Sequence, residues 1–167
     1  MNKRTTEEEF VREATREWVG TDVRFEKIPW ALFSTQIISA RQREQLRFFD
    51  SPGPATRTNM YIGGMLPNPQ AFLIQSIKIF GLGSAMAFAL FHLRIGAKTY
   101  ADRPVWLAGP RPGFTVLPGI MIPPLLNFHA SIEWEGPADL GRGFSGRQID
   151  SRPVQVAFVG LILRPLQ

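Results

Sequence analysis

The chain contains no cysteine, which excludes disulfides and thiolate metal sites and leaves the redox compartment open. Histidine is nearly as scarce: only His92 and His129 occur, with no H-x-H pair and no nearby carboxylate triad. A cupin-type metal centre needs several converging His and Glu ligands, and this sequence does not supply them. Long apolar runs are also missing. The two most apolar stretches, Ile79–Phe91 and Phe114–Phe128, are too short or are broken by glycine and proline, so neither reads as a membrane span. The first ten residues, MNKRTTEEEF, lack an apolar core segment, so no signal peptide is expected. A soluble protein, or one embedded in a soluble assembly, is the expectation.

Catalytic motifs are equally thin. Gly81-Leu82-Gly83-Ser84 reads as a strand-ending turn, whereas a phosphate loop needs G-x-x-x-x-G-K-[ST] running into a helix. Ser145 lies in GRGFSGR, whose spacing is not that of a G-x-S-x-G elbow. His129 and Glu133 share a strand face, but it is the polar face of an alternating strand and reads as solvated or interfacial. No catalytic residue, metal ligand, cofactor or small-molecule substrate is assigned, and an enzyme is the least supported class.

What is present is alternation. In Leu126–Glu135, LNFHASIEWE, Leu126, Phe128, Ala130, Ile132 and Trp134 are apolar and the residues between them polar. Such period-two patterning places the apolar set on one face of an antiparallel strand, against a core. Further strands are read at Phe72–Phe80, Met86–Lys98, Val105–Leu107, Thr115–Ile122 and Val154–Leu163, the last apolar except for Gln155 and with Gly160 inside it. Glycine (15) and proline (14) supply the turns between them. With 167 residues, 44% of them hydrophobic, one domain with a real core is expected. Many short strands separated by Gly/Pro turns give an all-β fold, an antiparallel β-sandwich or barrel of jelly-roll type.

The N-terminal part reads differently. Thr6 with Glu9 makes a capping box, and Glu7 and Glu8 suit the positive end of a helix dipole. Phe10, Ala14 and Trp18 form a narrow apolar stripe on the charged helix that follows, and Gly20 is placed to stop it. Such a helix needs a surface to lie on, either its own domain or a neighbouring subunit. Pro29–Ile38 reads as a strand or extended arm, Ala40–Arg47 as a short polar turn of helix, and Leu46–Phe49 as extended. Asp50-Ser51-Pro52-Gly53-Pro54 is a turn cluster and the expected boundary between an N-terminal helix and arm (1–50) and the β-barrel (51–167). Phe10, Ala14, Trp18, Trp30 and Phe33 are the candidate subunit-interface residues.

Net charge is +5, with 15 Arg against 4 Lys. Residues 1–50 hold nine basic and nine acidic side chains, and residues 51–167 hold ten and five. No basic terminal arm for gripping nucleic acid is present, and the arginines read first as makers of salt bridges and subunit contacts. Gly136–Arg152 is a Gly-rich loop carrying Arg142, Arg147 and Arg152. It reads as a surface connection, or as an arm touching nucleic acid or an adjacent subunit.

Thr58-Asn59-Met60, Gly64-Met65-Leu66-Pro67 and Gln70–Gln75 leading into Ile77 resemble the approach to the first barrel strand in capsid proteins of tailless icosahedral bacteriophages. The ending Gly160–Gln167 is similar to how such chains finish. The resemblance spans residues 58–167 and implies a single jelly-roll capsid protein. The expected function is a self-assembling structural subunit of the virion shell, made in the host cytoplasm. Its partners would be copies of itself and other virion proteins, with contact to packaged nucleic acid or an internal membrane left open. About 110 residues hold one jelly roll where many major capsid proteins carry two, and the charge balance of residues 1–50 departs from capsids with a basic tail. Two other classes stand beside it. One is a free-standing lectin-like or receptor-binding β-sandwich module, with Tyr100 and Trp106 on its ligand face. The other is a cupin-like metal enzyme.

Overall fold

The alternating segments pair edge to edge into two antiparallel sheets. A computed structural model describes residues 6–19, 23–40, 45–82, 89–104, 113–135, 140 and 147–166. Helix α1 (Glu7–Val19) is followed by β1 (Phe25–Ser39), β2 (Leu46–Phe48), β3 (Ala71–Phe80) and β4 (Leu90–Ile95). Then come β5 (Lys98–Pro104), β6 (Gly113–Ile122), β7 (Phe128–Glu133) and β8 (Ser151–Pro165). The first sheet has the order β1-β8-β3-β6 and the second β2-β7-β4-β5. Four ladders join strands from the two ends of the chain inward: β1 with β8, β2 with β7, β3 with β6, and β4 with β5. Two more, β3 with β8 and β4 with β7, set these ribbons side by side. The described residues form an all-β sandwich with one helix.

Each sheet turns one face inward, because alternation puts every second side chain on the same side. In β7 the buried set is Phe128, Ala130 and Ile132, and in β8 it is Val154, Val156 and Phe158. β3 contributes Phe72 and Ile74, then Ile77 and Ile79; the change of phase falls on a bulge between Ile74 and Ser76. A bulge adds one residue to one strand and so exchanges the faces beyond it. At the centre, the Phe49 ring stacks on Phe158 at 4.6 Å and lies 5.6 Å from Phe128. Phe49 holds φ of 71°, uncommon for a bulky residue. Burial of its ring and a hydrogen bond from its N–H to the Ser34 hydroxyl (3.1 Å) hold it there.

The interior corrects several expectations. Residues 25–49 are not an arm outside the barrel: β1 runs the full length of β8, β2 pairs with β7, and Leu32, Ile38, Phe48 and Phe49 are core. The turn at Asp50–Pro54 is therefore an exposed connection between strands of one sandwich rather than a boundary. The strand expected over Met86–Lys98 ends at Ile95, where Gly96 at φ 57° turns the chain into β5. Residues 86–88 and the expected strand Val105–Leu107, with Trp106, lie outside the described residues, as do 41–44 of the expected helical turn. Leu126 sits beyond β7 and is 40% exposed, and Trp134 packs half-buried against the core rather than within it.

Candidate functional site

The outward-facing surfaces of the two sheets carry the candidate contacts, since no catalytic constellation is found among the described residues. Register fixes which residues share the outer face of the first sheet. Lys27, Leu163 and Ala71 form one cross-strand row; Pro29, Leu161, Leu73 and Met121 the next. Beyond them lie Ala31, Val159, Ser76 and Thr115, then Phe33, Ala157 and Lys78, then Thr35, Gln155 and Phe80, and finally Ile37 beside Pro153. A hydrogen bond from Gln155 Nε2 to Thr35 Oγ1 (3.0 Å) ties one of these rows together.

α1 covers the first rows. Its capping box forms as the sequence predicts: Thr6 N–H donates to Glu9 Oε2 (2.9 Å) and Glu9 N–H to Thr6 Oγ1 (3.3 Å). Val11 meets Ala71, Leu73, Met121 and Leu163 in a second buried cluster, with Phe10 and Ala14 packed at its margin. Among the described side chains the centre of the buried face is thus Val11 and Thr15, with Phe10 and Ala14 of the expected stripe at its margin. Thr15 is buried at no loss of hydrogen bonding, because its hydroxyl donates to the Val11 carbonyl at 2.7 Å. Lys27 Nζ pairs with Glu7 Oε1 at 3.2 Å and Gln75 Nε2 donates to Glu7 Oε2, so the first turn is pinned to the sheet. Phe10 and Ala14 thus place part of their apolar surface against the sheet and keep part of it in solvent. The Trp18 side chain lies outside the described residues. A groove of about 330 Å³ between α1 and the start of β1 is lined by Val11, Val23, Phe25 and Leu166 with Glu8, Arg12, Arg24 and Lys27.

Among the described residues no further element lies over the remaining rows, although Ala157 is buried between its neighbours. Ile37 is 44% exposed and Phe80 43%, while Phe33 is half-buried. Trp30, opposite Gly160 on the inward side of β1, still shows half of its surface to solvent. Part of the free edge of β1 is closed by the loop after β2. Phe33 N–H donates to Asn59 Oδ1 (2.9 Å), Asn59 Nδ2 to the Ala31 carbonyl (2.6 Å), and Thr35 N–H to the Arg57 carbonyl (2.7 Å). Asn59 was noted in the sequence only as part of a polar loop, and here its amide stands in for a neighbouring strand.

The outer face of the second sheet is polar. His92 lies between Ser131 on β7 and Asp102 on β5, with Arg94 and His129 in the neighbouring row. Its Nδ1 is 3.2 Å from Asp102 Oδ1, and its Nε2 is 3.5 Å from Glu133 Oε2 without making a hydrogen bond. A hydrolytic serine would need its hydroxyl on one of those nitrogens, and both ring edges already face carboxylates. The carboxylates lie against opposite edges of the ring, so they do not converge on one ion. Among the described residues no group of three or more His, Asp or Glu is arranged to hold a metal. Arg147 is exposed and Arg152, at the start of β8, half-buried; Arg142 lies outside the described residues. No helix among the described residues is long and apolar enough to cross a membrane.

Among known proteins, no family model, no curated protein and no solved structure matches this chain.

Proposed function

We propose that this protein is a structural subunit of a viral shell, built on a single jelly roll, that functions by packing against copies of itself. The observation that carries the reading is the order of the ladders. Strand pairs one with eight, two with seven, three with six and four with five are what results when one long antiparallel ribbon is rolled up into two sheets. That winding is the one used by viral capsid and lectin domains and by cupins. Between these uses, the sites discriminate. A cupin enzyme requires a convergent ligand set inside the barrel, while the inward faces here are filled by Phe, Ile, Leu and Val. The resemblance of residues 58–167 to phage capsid proteins favours the shell over the lectin-like or receptor-binding module.

In this reading the subunit contacts use what α1 leaves open: Ile37 and Phe80 on the outer face of the first sheet, and Trp30 at its edge. Aromatic side chains dominate the energetics of protein contacts. The test is an Ile37→Asp, Trp30→Glu double variant. It should keep the wild-type circular dichroism spectrum and lose particle formation. Unchanged assembly by the double variant would remove this surface from the contact.

A further inference from the structure

Among the described residues, one buried side-chain nitrogen or oxygen makes no hydrogen bond, and it is Nε2 of His92. The ring belongs to the middle one of three adjacent strands, β5, β4 and β7. By register His92 stands opposite Asp102 on β5 and Ser131 on β7, and Glu133 is two residues further along β7 on the same face. The His92 side chain is 20% exposed, against 65% for Asp102 and 50% for Glu133. Two hydrated carboxylates thus flank a ring that is mostly covered.

A buried polar atom without a partner is costly, so its presence needs a physical reason. Counting protons supplies one. A neutral imidazole has one N–H and one bare lone pair. With the proton on Nδ1, the N–H points at Asp102 Oδ1 (3.2 Å) and the Nε2 lone pair faces Glu133 Oε2 (3.5 Å). With the proton on Nε2, the mismatch moves to Asp102. Either neutral tautomer sets a lone pair against a carboxylate oxygen. Only the imidazolium, with two N–H groups, serves both.

We infer that His92 is an acid-operated brace across the second sheet: on gaining its second proton it ties β5 and β7 to β4 through Asp102 and Glu133. The strand that gains most is β5. It is an edge strand held in the sheet by β4 alone, and a bulge in that ladder leaves Tyr100 unpaired and 46% exposed. The other charged groups around the ring follow from register. Arg94 is the next outward residue of β4 with His129 opposite it, and Arg47 on β2 is opposite Ser131. Lys98 and Arg103 on β5 fall opposite Ile95 and Phe91, which are buried. The arginines oppose a positive charge on His92, but the two carboxylates lie within 3.5 Å of its nitrogens and at that distance dominate. The brace contributes stability where the imidazolium is populated, on the acid side of the histidine range, and the contribution is lost as pH rises through that range. It ends again where the carboxylates themselves take up protons. The inference is independent of the proposed shell function, since it rests on the other sheet.

Urea unfolding of the full-length protein at a series of values from about pH 8 to about pH 5.5 tests it. The wild-type midpoint, measured against that of a His92→Gln variant, should rise by about 0.2–0.5 M urea as the pH falls. Glutamine keeps a polar side chain there but takes up no proton. Asp102→Asn and Glu133→Gln should each reduce that rise, and His129→Gln should leave it intact. The Asp102→Asn, Glu133→Gln double variant keeps His92 and gives a second reference, against which the wild type should gain in the same direction. A difference between wild type and either reference that is flat in pH, or that grows toward alkaline pH, would overturn the proposal. So would a full acid-side gain that persists in the double variant, because the carboxylates would then play no part in it.

Discussion

Phe128 shows how much of this fold hangs on single side chains. It is 2% exposed and lies among Phe49 and Phe158 between the sheets. Phe128→Ala should cost on the order of 3–5 kcal/mol, read as a lower urea midpoint; an unchanged midpoint would remove it from the core. Gly160 makes a different demand. A Cβ there would run into the Leu73 carbonyl on β3, so Gly160→Ala should cost more than about 2 kcal/mol by forcing the central ladder apart. Equal stability of the two proteins would show that the strands yield. The sequence made Phe128 legible, because alternation alone puts it with Ala130 and Ile132. It marked Gly160 as unusual within an apolar run but could not name the carbonyl that excludes a side chain. Phe49 carried no signal at all, since nothing local tells that an aromatic residue will sit at positive φ.

Among the elements, most strands after residue 70 were readable, β1 and β2 were legible only as extended segments at Pro29–Ile38 and Leu46–Phe49, and β5 (Lys98–Pro104) was not separated from β4. β3, β6, β7 and β8 announce themselves by apolar periodicity, which short-range pattern detects well. β1 looks like an arm because its outer half lies at a sheet edge, with Pro29, Trp30 and Ala31 exposed, and its partner is β8 at the far end of the chain. Pairing across such a separation leaves no trace in a local window. Two deletions separate arm from core. Removing residues 1–19 should leave a β-type circular dichroism spectrum while uncovering Leu73, Met121 and Leu163, seen as increased binding of a hydrophobic dye. Removing residues 1–50 takes Leu32, Ile38, Phe48 and Phe49 with it and should abolish folding; a folded product would show that the interior tolerates their loss. The edge closure makes its own prediction. Asn59→Ala leaves the Phe33 N–H and Ala31 carbonyl without their partner and should cost about 1–3 kcal/mol, measured by denaturant unfolding. No loss would mean that solvent serves that edge equally well.

At the scale of the whole molecule, the sandwich uses its inner faces for stability and assigns little of its outer surface to chemistry. One half of the first sheet is sealed by α1, and no described element covers the other half. The outer face of the second sheet carries a His92–Asp102–Glu133 cluster, and one loop end presents Tyr61 and Leu125 to solvent. The sandwich class was legible from strand number and turn spacing; the individual strand partners and their register were not, because they are properties of long-range ladders. In the proposed shell subunit, the exposed apolar side chains Ile37, Phe80 and Trp30 would be where copies of the chain meet. Sizing the purified full-length protein by sedimentation velocity at physiological salt, with the particles imaged, tests it most directly. The account predicts discrete large closed particles that form above a threshold concentration. A protein that stays monomeric at every concentration, with no particles on the grid, would contradict it.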